Sequence, residues 1–299
     1  MSAPVSVKDT FEKYRLKFED YLESSKEERS KDSPPSLFEA MEYSLCAGGK
    51  RLRPVLCLAA AERCGCPADD ALPMSMGFEM LHTGSLIHDD LPCMDDDDLR
   101  RGKPSCHAKF GEALALLAGD ALMIKAIEYP LTHTKNVKPE RLLHAEQIFT
   151  VAIGPAGVCG GQVLDMDEHG GAEDPDYVRR IARLKTGALI RAAVMSGACL
   201  GSDDEHLLNC YYNYGTHLGS AFQIVDDILD VTSTAEELGK TPGKDAEQGK
   251  LTHVTVYGMK KAREMAAEES RLAKEAIAGL LPPDDFLVNL ATYLVSRTH

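Results

Sequence analysis

Apolar residues recur at three- and four-residue spacing along almost the whole chain, while alternating runs of Val, Ile, Thr and Tyr are nearly absent. That pattern predicts helices and almost nothing else. An amphipathic first helix is expected over residues 9–24, where Phe11, Tyr14, Leu16, Phe18, Tyr21 and Leu22 interleave with charges. The polar stretch "SSKEERSKDSPPS" closes it, and the paired prolines start the next helix near Leu37. Further helices are expected over 36–47, 52–64, 69–93, 111–129, 139–168, 175–199, 203–231, 248–279 and 283–297, separated by glycine and proline signals such as "CGCP", "KNVKP" and "EHGGAEDPD". No fixed-period repeat and no linker divides the chain. Residues 1–299 are therefore expected to form a single all-α domain, a bundle of about ten helices around a central cavity, with 1–35 as an N-terminal helix and polar connector.

Composition narrows the function more than the fold. A formal charge of −14 argues against nucleic acid as a partner, since binding a phosphate backbone needs a basic face. It leaves room for a small phosphorylated ligand, because a local cation cluster or a metal held by carboxylates reverses the potential at one site. The nine cysteines are odd in number and lie mostly in apolar helical patterns, which suits free thiols in a reducing cytoplasm. No run approaches the ~20 apolar residues of a transmembrane helix, and the N-terminus lacks a basic-then-apolar signal pattern.

Charge is then found concentrated in two places. In "LIHDDLPCMDDDDLRRGKP", residues 86–104, six aspartates fall between Asp89 and Asp98, delivered by an apolar helix. In "FQIVDDILDV", residues 222–231, Asp226 and Asp230 stand one helical turn apart on one face with Asp227 beside them. Carboxylates crowded on an apolar helix are destabilising unless something positive sits between them. Hard oxygen ligands with room left for water and phosphate favour Mg²⁺. Four basic stretches complement them: "GGKRLRP" (48–54), where a glycine turn opens a helix; "LRRGKP" (99–104); "RLKTGALIR" (183–191); and "LGKTPGKDAEQGK" (238–250). The last lacks the glycine spacing of a P-loop.

With these motifs in this order, together with "AGDAL" and "GGQVLDM", the chain from about residue 36 onward resembles the short-chain trans-prenyl diphosphate synthases of the geranylgeranyl and farnesyl type. The resemblance implies an all-helical homodimer that condenses isopentenyl diphosphate with dimethylallyl, geranyl or farnesyl diphosphate, the allylic diphosphate being held through three Mg²⁺. Position by position it implies metal ligation by Asp89, Asp95, Asp226 and Asp230, and hydrogen-bonding roles for Asp90 and Asp227. Lys50, Arg53, His82 and Arg101 resemble the isopentenyl diphosphate pocket. Arg100, Lys185, Thr186, Gln223, Lys240 and Lys250 resemble the groups around the allylic diphosphate, with Lys185, Thr186, Gln223 and Lys240 closest to the chemistry. In the family a bulky aromatic five residues before the first aspartate stops growth at fifteen carbons. Here that position is Gly84, beside Ser85, which resembles an open floor and favours twenty carbons. A farnesyl diphosphate synthase is the alternative. A terpene cyclase would lack "GGKRLRP" and a second "DDILD", and a silent regulatory subunit would lack one aspartate motif; this chain keeps both.

Overall fold

The computed structural model describes residues 6–31, 33–167, 175–232 and 251–296. Those residues form helices almost throughout, as the spacing predicts: α1 (Val7–Ser24), α2 (Lys26–Ser30), α3 (Pro35–Leu45), α4 (Leu52–Arg63), α5 (Ala68–Asp89), α6 (Cys106–Phe110), α7 (Glu112–His133), α8 (Pro139–Ile153), α9 (Val158–Asp165), α10 (Pro175–Ile181), α11 (Ala188–Gly201), α12 (Glu205–Thr232), α13 (His253–Tyr257), α14 (Met259–Ile277) and α15 (Phe286–Ser296). Ser6 caps α1 by accepting from the Asp9 N–H, and Pro35 and Pro139 open α3 and α8 where a missing N–H costs nothing.

Three expected helices are interrupted, each for a local reason. The stretch expected over 139–168 breaks between Ile153 and Val158, where a Cβ on Gly157 would lie 1.9 Å from the Ala152 carbonyl. By length and composition Pro139–Asp165 is apolar enough to cross a membrane, but the break divides it into two helices, and α8 packs on α11. The stretch over 248–279 breaks at Gly258, whose φ of 79° lies in the left-handed region. The helix over 175–199 passes through a π-helical turn, Ala182–Gly187, between α10 and α11.

The larger of two apolar clusters joins α1, α4, α5, α7, α8, α11 and the first half of α12. Tyr14, Phe18 and Leu22 bury one face of α1 in it, and the rings of Phe78 and Phe149, 4.5 Å apart, join α5 to α8. Helix α12 is held by its apolar side: Ile224, Val225, Ile228 and Leu229 pack on Ala262 and Ala266 of α14. That burial leaves Gln223, Asp226, Asp227 and Asp230 together on a different face.

Candidate active site

Helix α5 ends on Asp89 with Asp90 as its C-cap, so two carboxylates sit where the helix dipole is already negative. The chain then turns back on itself. The Asp95 N–H donates to the Asp89 carbonyl at 2.9 Å and the Asp97 N–H to that of Asp90 at 3.2 Å, which brings Asp95 beside Asp89 despite the five residues between them. Burial, reinforced by Asp95 and Asp90 and opposed by Lys185 and Arg100, pushes the Asp89 carboxyl up to about 6. Asp96 and Asp98 are exposed.

A two-residue hairpin separates the adjacent arginines. Strands β1 (Leu99–Arg100) and β2 (Lys103–Pro104) pair around Arg101 and Gly102, whose φ values of 54° and 75° give the doubly left-handed turn that suits tight hairpins. Arg100 turns to Asp90, donating from Nε at 2.9 Å and from Nη2, and stands 3.7 Å from Asp97. It is thus paired with the acidic motif, while the resemblance implies a place beside the allylic diphosphate. Arg101 turns the other way, donating to the Gly48 carbonyl and lying over Gly49, where a Cβ would meet its guanidinium at 2.9 Å. The hairpin thereby joins "LRRGKP" to "GGKRLRP".

Near the Arg101 guanidinium lie Arg53 and His82, each within reach of its charge. Arg53 Nε is buried without a hydrogen-bond partner, and burial lowers its guanidinium to about 10 although Glu79 and Asp226 favour its charge. His82 is held well below the usual imidazole range by burial and by Arg53 and Arg101, so it stays neutral. Lys50 is exposed at the turn. Arg51, in the same motif, does something else. It is 2% exposed, with φ 51°, and clamps Glu19 at 2.9 Å, Glu79 at 2.6 Å and the Leu45 carbonyl at 2.9 Å. Glu79 escapes the sequence reading. It is the buried carboxylate shared by Arg51 and Arg101, and its signal is a lone charge in the apolar run "GFEML".

Lys185 and Thr186 lie on the π-helical turn, and such turns are frequent at functional sites. Neighbours clasp the turn closely: a Cβ on Gly161 of α9 would fall 2.2 Å from the Lys185 nitrogen, and one on Gly219 of α12 would fall 2.8 Å from the Gly187 Cα. Lys185 Nζ donates to Asp165 Oδ2 at 2.5 Å, and Thr186 Oγ1 to Gln223 Oε1 at 2.5 Å. Asp89 feels the charge of Lys185, and Arg53 that of Asp226, so the acidic ends of α5 and α12 lie within electrostatic reach of these cations. Lys240 and Lys250 lie outside the described residues. Gly84 and Ser85 lie on α5 as expected, but Gly84 does not face open space. A Cβ there would meet the Gly119 carbonyl of α7 at 3.0 Å and Met123 Cγ at 3.2 Å.

Among the described residues no three His, Cys, Asp or Glu side chains converge into a ready-made cation cage. The donor set nonetheless fits Mg²⁺, which binds through one or two carboxylates and completes its shell with water and phosphate oxygens. A buried carboxylate raised to about 6 is the kind that a cation relieves.

An all-α scaffold that sets buried cations within electrostatic reach of two carboxylate-bearing helix ends suits an enzyme that handles diphosphates. Residues 34–278 match the polyprenyl synthetase family, and the chain belongs to it, as a short-chain trans-prenyl diphosphate synthase. It is 43% identical over 298 residues to the dimethylallyltranstransferase of Fischerella ambigua (strain UTEX 1903), covering 99% of this chain and 85% of that one. It is 45% identical over 270 residues to the chloroplastic geranylgeranyl pyrophosphate synthase 11 of Arabidopsis thaliana, covering 88% and 75%. Among solved structures, geranylgeranyl pyrophosphate synthetase from Pyrococcus horikoshii Ot3 superposes with a TM-score of 0.87 at 28% identity, over 97% of this chain and 99% of that one.

Proposed function

We propose that the protein condenses isopentenyl diphosphate with allylic diphosphates to all-trans geranylgeranyl diphosphate. The observation that carries this reading is the Arg53–His82–Arg101 cluster with an unpartnered Arg53 Nε, in electrostatic reach of the second acidic motif. A buried guanidinium lacking a partner is costly, and a diphosphate oxygen supplies what it lacks. Arg53, His82, Arg101 and Lys50 would hold isopentenyl diphosphate. Lys185, with Lys240 and Lys250, would receive the allylic diphosphate. Asp89, Asp95, Asp226 and Asp230 would hold Mg²⁺, three ions by family resemblance, which when bound supplies charge neutralisation of the diphosphate oxygens.

In the reaction the allylic C1–O bond breaks, the isopentenyl double bond attacks C1, and the proton lost from the adduct goes to the departing pyrophosphate. Lys185 stabilises charge on the leaving group but repels the carbocation, so the oxygens of Thr186 and Gln223 are the groups suited to the cation. Closely packed helices exclude the water that would otherwise capture it.

Twenty carbons are favoured because Met123, the side chain beside Gly84, is a flexible thioether that a growing chain displaces more readily than an aromatic ring. A homodimer is supported by the large apolar side chains that α7, α8 and α9 leave exposed, Leu117, Ile124, Leu143, Val151 and Val163 among them. A cytoplasmic setting is supported by nine unpaired cysteines. Incubation with Mg²⁺, labelled isopentenyl diphosphate and each allylic starter, followed by product chromatography, tests the proposal. A C20 all-trans product is expected, and absence of turnover with every starter refutes it.

A further inference from the structure

Asp227 is fully engaged in hydrogen bonding. Gln223 Nε2 donates to its Oδ1 at 2.7 Å, while the His253 backbone N–H and ring Nδ1 donate to its Oδ2 at 2.8 and 2.7 Å. His253 is 2% and Asp227 6% exposed, so water does not compete for these bonds. A carboxylate accepts only, so the Nδ1 facing it carries the proton. The next carboxylate along, Asp226, hydrogen-bonds to no described residue and is left for the site.

The engagement of Asp227 decides the orientation of an amide. Gln223 has to present its NH₂ to Asp227, since a carboxylate cannot donate, and its Oε1 is thereby turned to Thr186, 2.5 Å away. A flipped amide would set two acceptors against each other. His253 is in turn seated by the chain: Thr252 caps α13 by a reciprocal pair with Thr255, which makes His253 the first residue of that helix and directs its otherwise orphaned N–H at Asp227. Thr186, Gln223, Asp227 and His253 thus form one chain from the π-helical turn through α12 to α13.

We propose that His253 is a positioning residue for prenyl transfer: by holding Asp227 it fixes the Gln223 amide so that the Gln223 and Thr186 oxygens, rather than an N–H, face the allylic cation. This rests on the reading that Thr186 and Gln223 line the allylic subsite. The ring donor, not the bulk of the side chain, is what the role requires.

The test uses His253→Leu, which removes the donor, and His253→Asn, whose side-chain amide can place a donor near the position of Nδ1, each alone and in a Gln223→Leu background. In the Leu variant kcat is expected to fall about ten- to a hundredfold, the scale of a misplaced group at a reacting centre. The KM for isopentenyl diphosphate stays unchanged, the Asn variant recovers most of the rate, and His253→Leu costs nothing further once Gln223 is Leu. Should the Leu variant not fold by circular dichroism, His253→Phe keeps the ring and removes the donor in the same comparisons. A wild-type rate in the donor-less variant, a loss the Asn variant does not restore, or a full additional loss in the Gln223→Leu background overturns the proposal. An inactive wild type would instead overturn the function on which it rests.

Discussion

Lys185 and Asp165 meet at 2.5 Å across the gap between the π-helical turn and α9, where Gly161 lets the two backbones touch. The pair is part-buried, so its geometry is set by both helices rather than by solvent. Asp165 anchors the ammonium that, on the proposed function, receives the allylic diphosphate. In Asp165→Asn the ammonium keeps its charge and loses its anchor. Steady-state kinetics are expected to give a kcat about tenfold lower and a higher KM for the allylic substrate, with the KM for isopentenyl diphosphate unchanged.

Glu146 of α8 is 4% exposed, neither of its carboxylate oxygens has a hydrogen-bond partner, and burial pushes its carboxyl up to about 8 from a reference of 4.5. Between those two values the unfolded chain releases this proton and the folded chain keeps it. The contribution of Glu146 to stability is therefore fully present below about pH 4.5 and is lost as pH rises toward about 8. Glu146→Gln removes the ionisation while keeping the shape. In thermal melts the advantage of the Gln variant should widen steadily from about pH 5 to about pH 8; a gap independent of pH would show that the carboxyl is not raised.

The floor of the apolar space is expected to respond to Met123 rather than to position 84 alone. Met123→Ala opens the volume next to Gly84 and should lengthen the dominant product by one isoprene unit, read by chromatography of the dephosphorylated alcohols. Gly84→Tyr should shorten it at a cost of about 1–3 kcal/mol in folding stability, because the new Cβ lies 3.0 Å from the Gly119 carbonyl and α7 has to move.

Ile124 of α7 and Val163 of α9 are 70% and 68% exposed, so each offers apolar surface to a partner. If a second copy covers α7, Ile124→Asp buries an unpaired charge in the interface and should convert the dimer to monomer in sedimentation velocity, while the helical circular dichroism persists. An unchanged sedimentation coefficient would place the interface elsewhere.

Much of this was legible in the residues. Helix content followed from apolar spacing, and the acidic pairs could be placed because Asp226 and Asp230 are one turn apart on any helix. What the spacing did not hold is the direction in which adjacent side chains depart. Arg100 and Arg101 are neighbours of one type, and only the left-handed turn at Arg101 and Gly102 sends one to Asp90 and the other to Gly48. Likewise Arg51 and Arg53 lie in one motif, yet Glu19 and Glu79, distant in sequence, take the first and leave the Nε of the second unpartnered. His253 carries no local pattern and Glu79 only a lone charge in an apolar run, since each matters through partners distant in sequence, Asp227 for the one and Arg51 and Arg101 for the other.

The sequence by itself determined the all-helical class, the two carboxylate clusters, the cationic stretches and, through them, the family. Those are properties of residue type and short-range period, which the chain carries whether folded or not. The tertiary structure decided which carboxylates are engaged as hydrogen-bond acceptors, which cations are already paired, and that Gly84 lies against α7 rather than over open space. These depend on helices meeting at distances of a few ångströms, and burial there makes each unpaired polar atom costly enough to select one partner over another.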